Sequence, residues 1–166
     1  MDILRSDESD LPEILELQRL AFQENALRYG DPDTPPMGQT LEELTEEARY
    51  HVTLKAVIDG KIIGFARGCM DGEACHISKV TVHPDHWNRG IGKRLVAAVE
   101  DLFDPTAYEL VTGHMDEKNI ALYKKLGYEI CDVPMEKITP TLFFIHMRKE
   151  KRKEKTIQND KGKHTI

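Results

Sequence analysis

Arg89-Gly-Ile-Gly-Lys-Arg94 places two glycines among three cations within six residues. A glycine lets a backbone approach a ligand with no Cβ in the way. A helix starting here presents unpaired N–H groups and the positive end of its dipole. Together these features suit an anionic group, most often a phosphate. Two familiar phosphate motifs are excluded by spacing. Leu95 stands where G-x-G-x-x-G needs its third glycine, and the sequence G-x-x-x-x-G-K-[ST] is absent. His83 and His86, with Cys75 and His76 nearby, raise the question of a metal. However, His83-Pro-Asp-His86 falls at a strand end and no second ligand pair has zinc spacing, so no metal is expected.

The elements around this turn can be read from pattern. Ser9-Asp10 before Pro12 and Glu13 marks a helix start. Leu11, Ile14, Leu15, Leu17, Ala21 and Phe22 then give one apolar face to about residue 27. The Pro/Gly-rich stretch 30–38 reads as a loop, and Thr40 as the cap of a short acidic helix to about Arg49. Asp59-Gly60 and Asp71-Gly72 are two-residue hairpin signals, because both central positions of a type I′ turn need positive φ. They imply strands near 51–58, 61–69 and 74–82 in an antiparallel meander. A helix is expected over about 89–103 with Ile91, Leu95, Val99, Leu102 and Phe103 on one face, then a strand at 108–112. A helix at 117–126 should end at Gly127, followed by strands at 128–133 and 141–147. The order ααβββαβαββ predicts an α+β domain with a mixed, mostly antiparallel sheet. Strands 74–82 and 108–112 should be its parallel pair.

Composition bounds the rest. With 166 residues, 40% of them hydrophobic, the chain suits one domain with one sizeable core. The longest apolar run, Leu95–Val99, is far too short to span a membrane. The first residues have no basic-then-apolar leader, and Cys69, Cys75 and Cys131 form no C-x-x-C pair; both point to a cytoplasmic protein. The net charge of −6 hides an asymmetry. Residues 148–166 carry +5 and read as a basic, disordered tail, which leaves −11 on the body 1–147. Thirteen of the acids lie in residues 1–50, against four arginines. Such a body argues against nucleic acid as a partner and attracts cations.

With the elements in place, two segments resemble the GNAT superfamily of acetyl-CoA-dependent N-acetyltransferases. Val80-Thr-Val-His-Pro-Asp-His-Trp-Asn-Arg-Gly-Ile-Gly-Lys-Arg-Leu95 resembles its acetyl-CoA motif, Arg/Gln-x-x-Gly-x-Gly/Ala, with Gly90 and Gly92 in place. Trp87 replaces the first Arg or Gln. Glu117-Lys-Asn-Ile-Ala-Leu-Tyr-Lys-Lys-Leu-Gly-Tyr-Glu129 resembles the family's Asn…Leu-Tyr-x-Lys-x-Gly-Phe/Tyr segment.

The resemblance covers about residues 2–147 and implies a three-layer αβα domain, acting as an acyltransferase by direct transfer in a ternary complex. It implies that Arg89, Gly90, Ile91, Gly92, Lys93 and Arg94 hold the pyrophosphate. The backbones of Val80 and Val82 would pair with the pantetheine arm like an added strand, with Thr81 between them also at the cofactor. Asn119 would bond the arm's amide and Tyr123 would support the departing thiolate. The strand position at which the family often places a Glu base is His76 here, with Glu73, Glu24 or water as alternatives. The acceptor is expected to be a primary amine, on a small molecule or a protein, bound near the acidic helices 10–49. A homodimer is compatible with the family. The competing reading is a non-catalytic acyl-CoA-binding regulatory module, which would keep the phosphate turn without needing His76 or Tyr123.

Overall fold

The computed structural model describes residues 1–152. The part of the expected basic tail from residue 153 onward lies outside the described residues. The chain runs β1 (Asp2–Arg5), α1 (Leu11–Tyr29), α2 (Pro35–Gly38), α3 (Leu41–Ala48), β2 (Val52–Ile58), β3 (Lys61–Asp71) and β4 (Ala74–Val82). It continues through α4 (Ile91–Glu100), β5 (Ala107–Gly113), α5 (Glu117–Lys125), β6 (Glu129–Ile130), β7 (Glu136–Lys137) and β8 (Phe143–Glu150). The sheet order is β1-β2-β3-β4-β5-β8-β6, with β7 also on β8. Every pairing is antiparallel except β4–β5. The α+β class, the mixed sheet and its parallel pair are as the sequence implied.

Helices cover both faces of the sheet. Leu11, Ile14, Leu15 and Leu17 of α1 and Leu44 of α3 pack on Ile62 and Phe65 of β3. On the other face Ile91, Leu95, Val96 and Val99 of α4 meet Leu54, Ile63, Cys75 and Ile77, with Tyr123 and Tyr128 completing that core. Each such aliphatic side chain contributes about 1.5–3 kcal/mol through burial. Gly68 lets α4 lie close, since a Cβ there would meet Val99 Cγ1 at 2.6 Å. The Thr40 cap is a full capping box: its hydroxyl accepts from Glu43 N at 3.1 Å and the Glu43 carboxylate reaches back to Thr40 N.

Several expected boundaries move. β1 carries only one partly buried residue, Ile3, too little for a strand pattern. The first hairpin is the expected type I′, with Asp59 and Gly60 both at positive φ (50° and 75°). The second is not. Asp71 pairs with Ala74, so the turn is Gly72-Glu73 with positive φ at Gly72 alone, the position a II′-like turn demands. Helix α4 starts at Ile91 and ends at Glu100, which leaves Leu102 exposed. The strand expected at 128–133 shrinks to two residues. The last strand runs to Glu150, beyond the boundary expected at 147, because Arg148, Lys149 and Glu150 pair with Glu109, Tyr108 and Ala107. Among the described residues, no helix is long and apolar enough to cross a membrane.

Candidate functional site

The site begins where β4 leaves β5. Their parallel pairing covers only Ala74–His76 against Ala107–Glu109. From Ile77 to Val82, β4 has β3 on one side and an open edge on the other. The direction of each peptide group follows from the ladder. His83 N donates to Ile63 O at 2.8 Å, so Ile63–His83 is a hydrogen-bonded pair, Gly64–Val82 is not, and Phe65–Thr81 is again. Val82, and by alternation Val80, therefore turn their N–H and C=O toward the open edge. Thr81 does not: its backbone belongs to the β3 ladder, it is 2% exposed, and its hydroxyl donates to Lys79 O at 3.0 Å. The peptide groups of Val80 and Val82, the two residues expected to pair with a ligand arm, thus face the open edge, and the Thr81 peptide faces β3.

A bulge separates this edge from the start of the strand. Arg67 is opposite Ser78 and Phe65 opposite Thr81, so β4 carries one extra residue. Lys79 absorbs it at φ 51°, in the left-handed region, which costs a non-glycine residue about 1–2 kcal/mol.

The open edge leads into the start of α4. Gly90 precedes the helix at φ 76°, with Asn88 also left-handed at 61°. Arg94 N closes the first helical bond onto Gly90 O at 3.1 Å, and no side chain caps the helix. The amides of Ile91, Gly92 and Lys93 thus have no intrahelical acceptor. Arg89, Lys93 and Arg94 are exposed around them, whereas the Ile91 side chain is buried in the core. A Cβ on Gly92 would lie 3.5 Å from Leu122 and 3.8–3.9 Å from Val80 and Val82. The two sequence motifs therefore converge at Gly92. Trp87, the odd residue of the first motif, donates its indole N–H to Val82 O at 2.7 Å. It ties the turn to the strand end and occupies one of the outward-facing carbonyls. His83 accepts from Asp85 N at 3.1 Å and stacks edge-on with His86, so this pair shapes the same turn.

Tyr123 is 5% exposed and its ring packs edge-on against Tyr128 at 6.0 Å. Burial, and then the nearby Asp116 charge, push its hydroxyl well above the usual phenol value, so it keeps its proton. Asn119 lies exposed one turn earlier on α5. His76 is half-buried at the closed end of the β4–β5 split, opposite Cys69 and Glu109. Among the described residues no hydrogen bond joins it to Tyr123. Glu73 sits in the hairpin turn and Glu24 on the surface beside Arg28 at 3.5 Å, so neither lies on the open edge.

The sequence reading missed a group on the α3 side. Glu47 of α3 meets Arg67 at 2.8 Å and Lys79 at 3.2 Å. Arg67 donates to Ser78 Oγ at 3.1 Å, and Lys79 also donates to Gln39, which accepts from Gln18 at 3.0 Å. Arg67 and Lys79 side chains are 8% and 15% exposed, against 42% for Glu47. Burial, followed by the Arg67 charge, draws Lys79 down to about 8. Burial opposes ionisation of Glu47, but Gln39 and the two cations outweigh it and hold the carboxyl at about 2. A charged residue, Arg67, inside the apolar strand run Ile62–Cys69 was the available signal.

An open strand edge running into an uncapped helix start has the hydrogen-bonding groups to receive an extended ligand that ends in an anion. Residues 11–128 match the acetyltransferase (GNAT) family. A 74-residue stretch is 35% identical to glucosamine 6-phosphate N-acetyltransferase of Schizosaccharomyces pombe, covering 44% of this chain and 64% of that protein. The chain thus spans less than two thirds of that relative's length. The PaiA N-acetyltransferase of Thermoplasma acidophilum, solved with coenzyme A, superposes with a TM-score of 0.74 at 18% identity, over 91% of this chain and 100% of that one. The ribosomal-protein-S18-alanine N-acetyltransferase of Escherichia coli gives 0.75 at 16%, over 94% and 97%. These two share the fold. The chain belongs to the GNAT acetyltransferase family, whose co-substrate is acetyl-CoA.

Proposed function

We propose that the protein transfers the acetyl group of acetyl-CoA to a primary amine by direct attack in a ternary complex. The observation that carries this reading is the open edge of Val80 and Val82 leading to the uncapped amides of Ile91–Lys93. It supplies strand-like partners for an amide-bearing arm and N–H donors with flanking cations for a pyrophosphate. Arg89, Lys93 and Arg94 add charge around the phosphate, the freedom of Gly90 keeps the turn open, and the exposed Asn119 of α5 is the side chain assigned to the arm's amide.

Within this reading Val80 N–H donates to the thioester oxygen, where negative charge develops during attack. Tyr123 donates a hydrogen bond to the departing sulfur. Its raised pKa suits a donor that retains its proton, and full transfer to a thiolate would be more uphill than for an ordinary phenol. The attacking amine must first be neutral, and an ordinary alkylamine is so in only about one molecule in 10³ at pH 7. His76 takes that proton, directly or through water. An acyl-cysteine route is disfavoured, because burial raises the Cys69 thiol and pushes Cys75 to about 11, leaving neither as a ready nucleophile.

The test is coenzyme A release across a panel of primary amines with wild type and His76→Ala. Activity with at least one amine and a lowered kcat in the variant support the reading. Binding of acetyl-CoA with no transfer to any amine would favour the regulatory-module alternative.

A further inference from the structure

The network on the α3 face of β4 is distinct from the cofactor edge, and its charges do not balance. Arg67 and Lys79 share one carboxylate, Glu47. His51, whose Nδ1 lies 2.7 Å from Glu47 O, can only be neutral or cationic and so supplies no opposing charge. Among the described residues the cluster carries a net charge of about +1 in a largely buried place, where an uncompensated charge is costly.

The bulge is what brings Lys79 here. Ile77 faces the α4 core, and Val80 and Val82 approach Gly92 on that same face. The extra residue puts two successive side chains, Ser78 and Lys79, on the opposite face, where both bond into the network. A regular strand would turn Lys79 into the α4 core. The left-handed backbone at Lys79 is thus spent on placing a second cation beside Arg67, immediately before the peptide of Val80. The network reaches solvent through the partly exposed Glu47. It also holds a buried acceptor, Gln18 Oε1, with no partner among the described residues, although Gln18 is fully buried and its amide nitrogen is bonded to Gln39.

We propose that Arg67 and Lys79 form an acceptor subsite for an anion, so that the amine acetylated by this protein also carries a carboxylate or a phosphate. The proposal rests on the acetyltransferase reading above and narrows its acceptor. A ligand entering from the α4 face leaves its reactive end at Val80, and an amine arriving from the α3 face meets Lys79 first. An anionic group on that amine supplies the missing negative charge. The acids of α3 then shape the acceptor site differently from the sequence expectation: Glu47 is neutralised by two cations and does not stand free to attract one.

Matched acceptors test this. Initial rates are measured for glucosamine against glucosamine 6-phosphate, and for a short ω-amino acid against its amide, with wild type, Lys79→Met and Lys79→Arg. The first pair reads phosphate recognition and the second carboxylate recognition. The expected result is a preference of about tenfold or more in kcat/KM for the anionic member of at least one pair, carried by KM. That preference should collapse in Lys79→Met and be largely kept in Lys79→Arg, with KM for acetyl-CoA unchanged in both. The wild-type comparison stands even if a variant folds poorly. Acetylation of neutral members as efficiently as anionic ones would overturn the subsite while leaving the transferase reading intact. No transfer to any of the four by a chain that binds acetyl-CoA, yet robust transfer to a neutral amine elsewhere in the panel, would also overturn the subsite alone. No transfer to any amine would overturn both.

Discussion

Along the open edge of β4 toward α4 the exposed polar groups are peptide N–H and C=O; on the α3 face they are charged side chains. The first region depends on where the backbone runs: a strand that parts from its neighbour after His76, and a helix that begins at Gly90 without a cap. Its cations sit outside, exposed and replaceable. The second depends on which side chains meet: Glu47, Arg67, Lys79, Gln39 and Gln18 come from five separate stretches of chain and hold one another in place. A backbone-built site can accept one invariant ligand arm under many sequences. A side-chain-built site can be changed residue by residue, which suits the half of the reaction where substrates differ.

The sharpest way to break this division is at Tyr123, a side chain assigned to the backbone-built half. Tyr123→Phe keeps the ring against Tyr128 and removes only the hydroxyl. Loss of one donor to developing charge is expected to lower kcat about 10²-fold, with KM for acetyl-CoA nearly unchanged. Stopped-turnover rates at saturating acetyl-CoA check it, and an unchanged kcat would return Tyr123 to the core alone. Gly90→Val should come next. A β-branched residue at φ 76° is strained by more than the roughly 1–2 kcal/mol of an ordinary side chain. We expect KM for acetyl-CoA to rise about tenfold or more while kcat at saturation largely survives. A variant that bound acetyl-CoA normally would show that the left-handed start of α4 does not matter to the cofactor edge.

The two regions also differ in how visible they were before the structure. Arg89–Arg94 and Asn119–Gly127 are short and contiguous, and their glycines, cations and capping residues report local backbone needs, so they could be read directly. The bulge could not, because it exists only in the register between β3 and β4. Lys79, between Ser78 and Val80, gives no hint in sequence that its φ is positive. The Glu47–Arg67 and Glu47–Lys79 contacts span 20 and more positions in sequence, and nothing in spacing pairs them. Trp87 was visible as a departure from the family pattern, but its role as a donor to Val82 O required the turn itself. The alternation of Val80 and Val82 was legible because a ladder turns alternate peptides in opposite directions, but which set faces the open edge required the β3–β4 register.

A pH titration of stability separates the regions more gently. Glu47 is held at about 2 in the folded protein against an ordinary 4.5. Its contribution is therefore complete above about pH 4.5 and is lost as pH falls toward 2. Part of it is screened, since the Glu47 side chain is 42% exposed. Glu47→Gln should flatten the fall of Tm over that window, without altering acetyl-CoA affinity at neutral pH. An unchanged slope would mean that the network contributes little to acid stability.

The smallest effect is expected at Gly92, and it tests whether the α4 start is truly backbone-built. A methyl there would lie at ordinary contact distance from Leu122, Val80 and Val82 and would not block the amides of the first turn. Gly92 has no left-handed backbone, and alanine favours helix over glycine by up to about 1 kcal/mol. Gly92→Ala should leave KM for acetyl-CoA within about twofold, a change below 0.5 kcal/mol at roughly 1.4 kcal/mol per tenfold, and should hold or slightly raise Tm. Gly90 and Gly92 would then separate cleanly: one needed for its φ, the other only for the room a small side chain leaves. If Gly92→Ala instead weakens acetyl-CoA binding as severely as Gly90→Val, the ligand must press against the face of the helix at Gly92, and side-chain volume rather than backbone direction would define that end of the site.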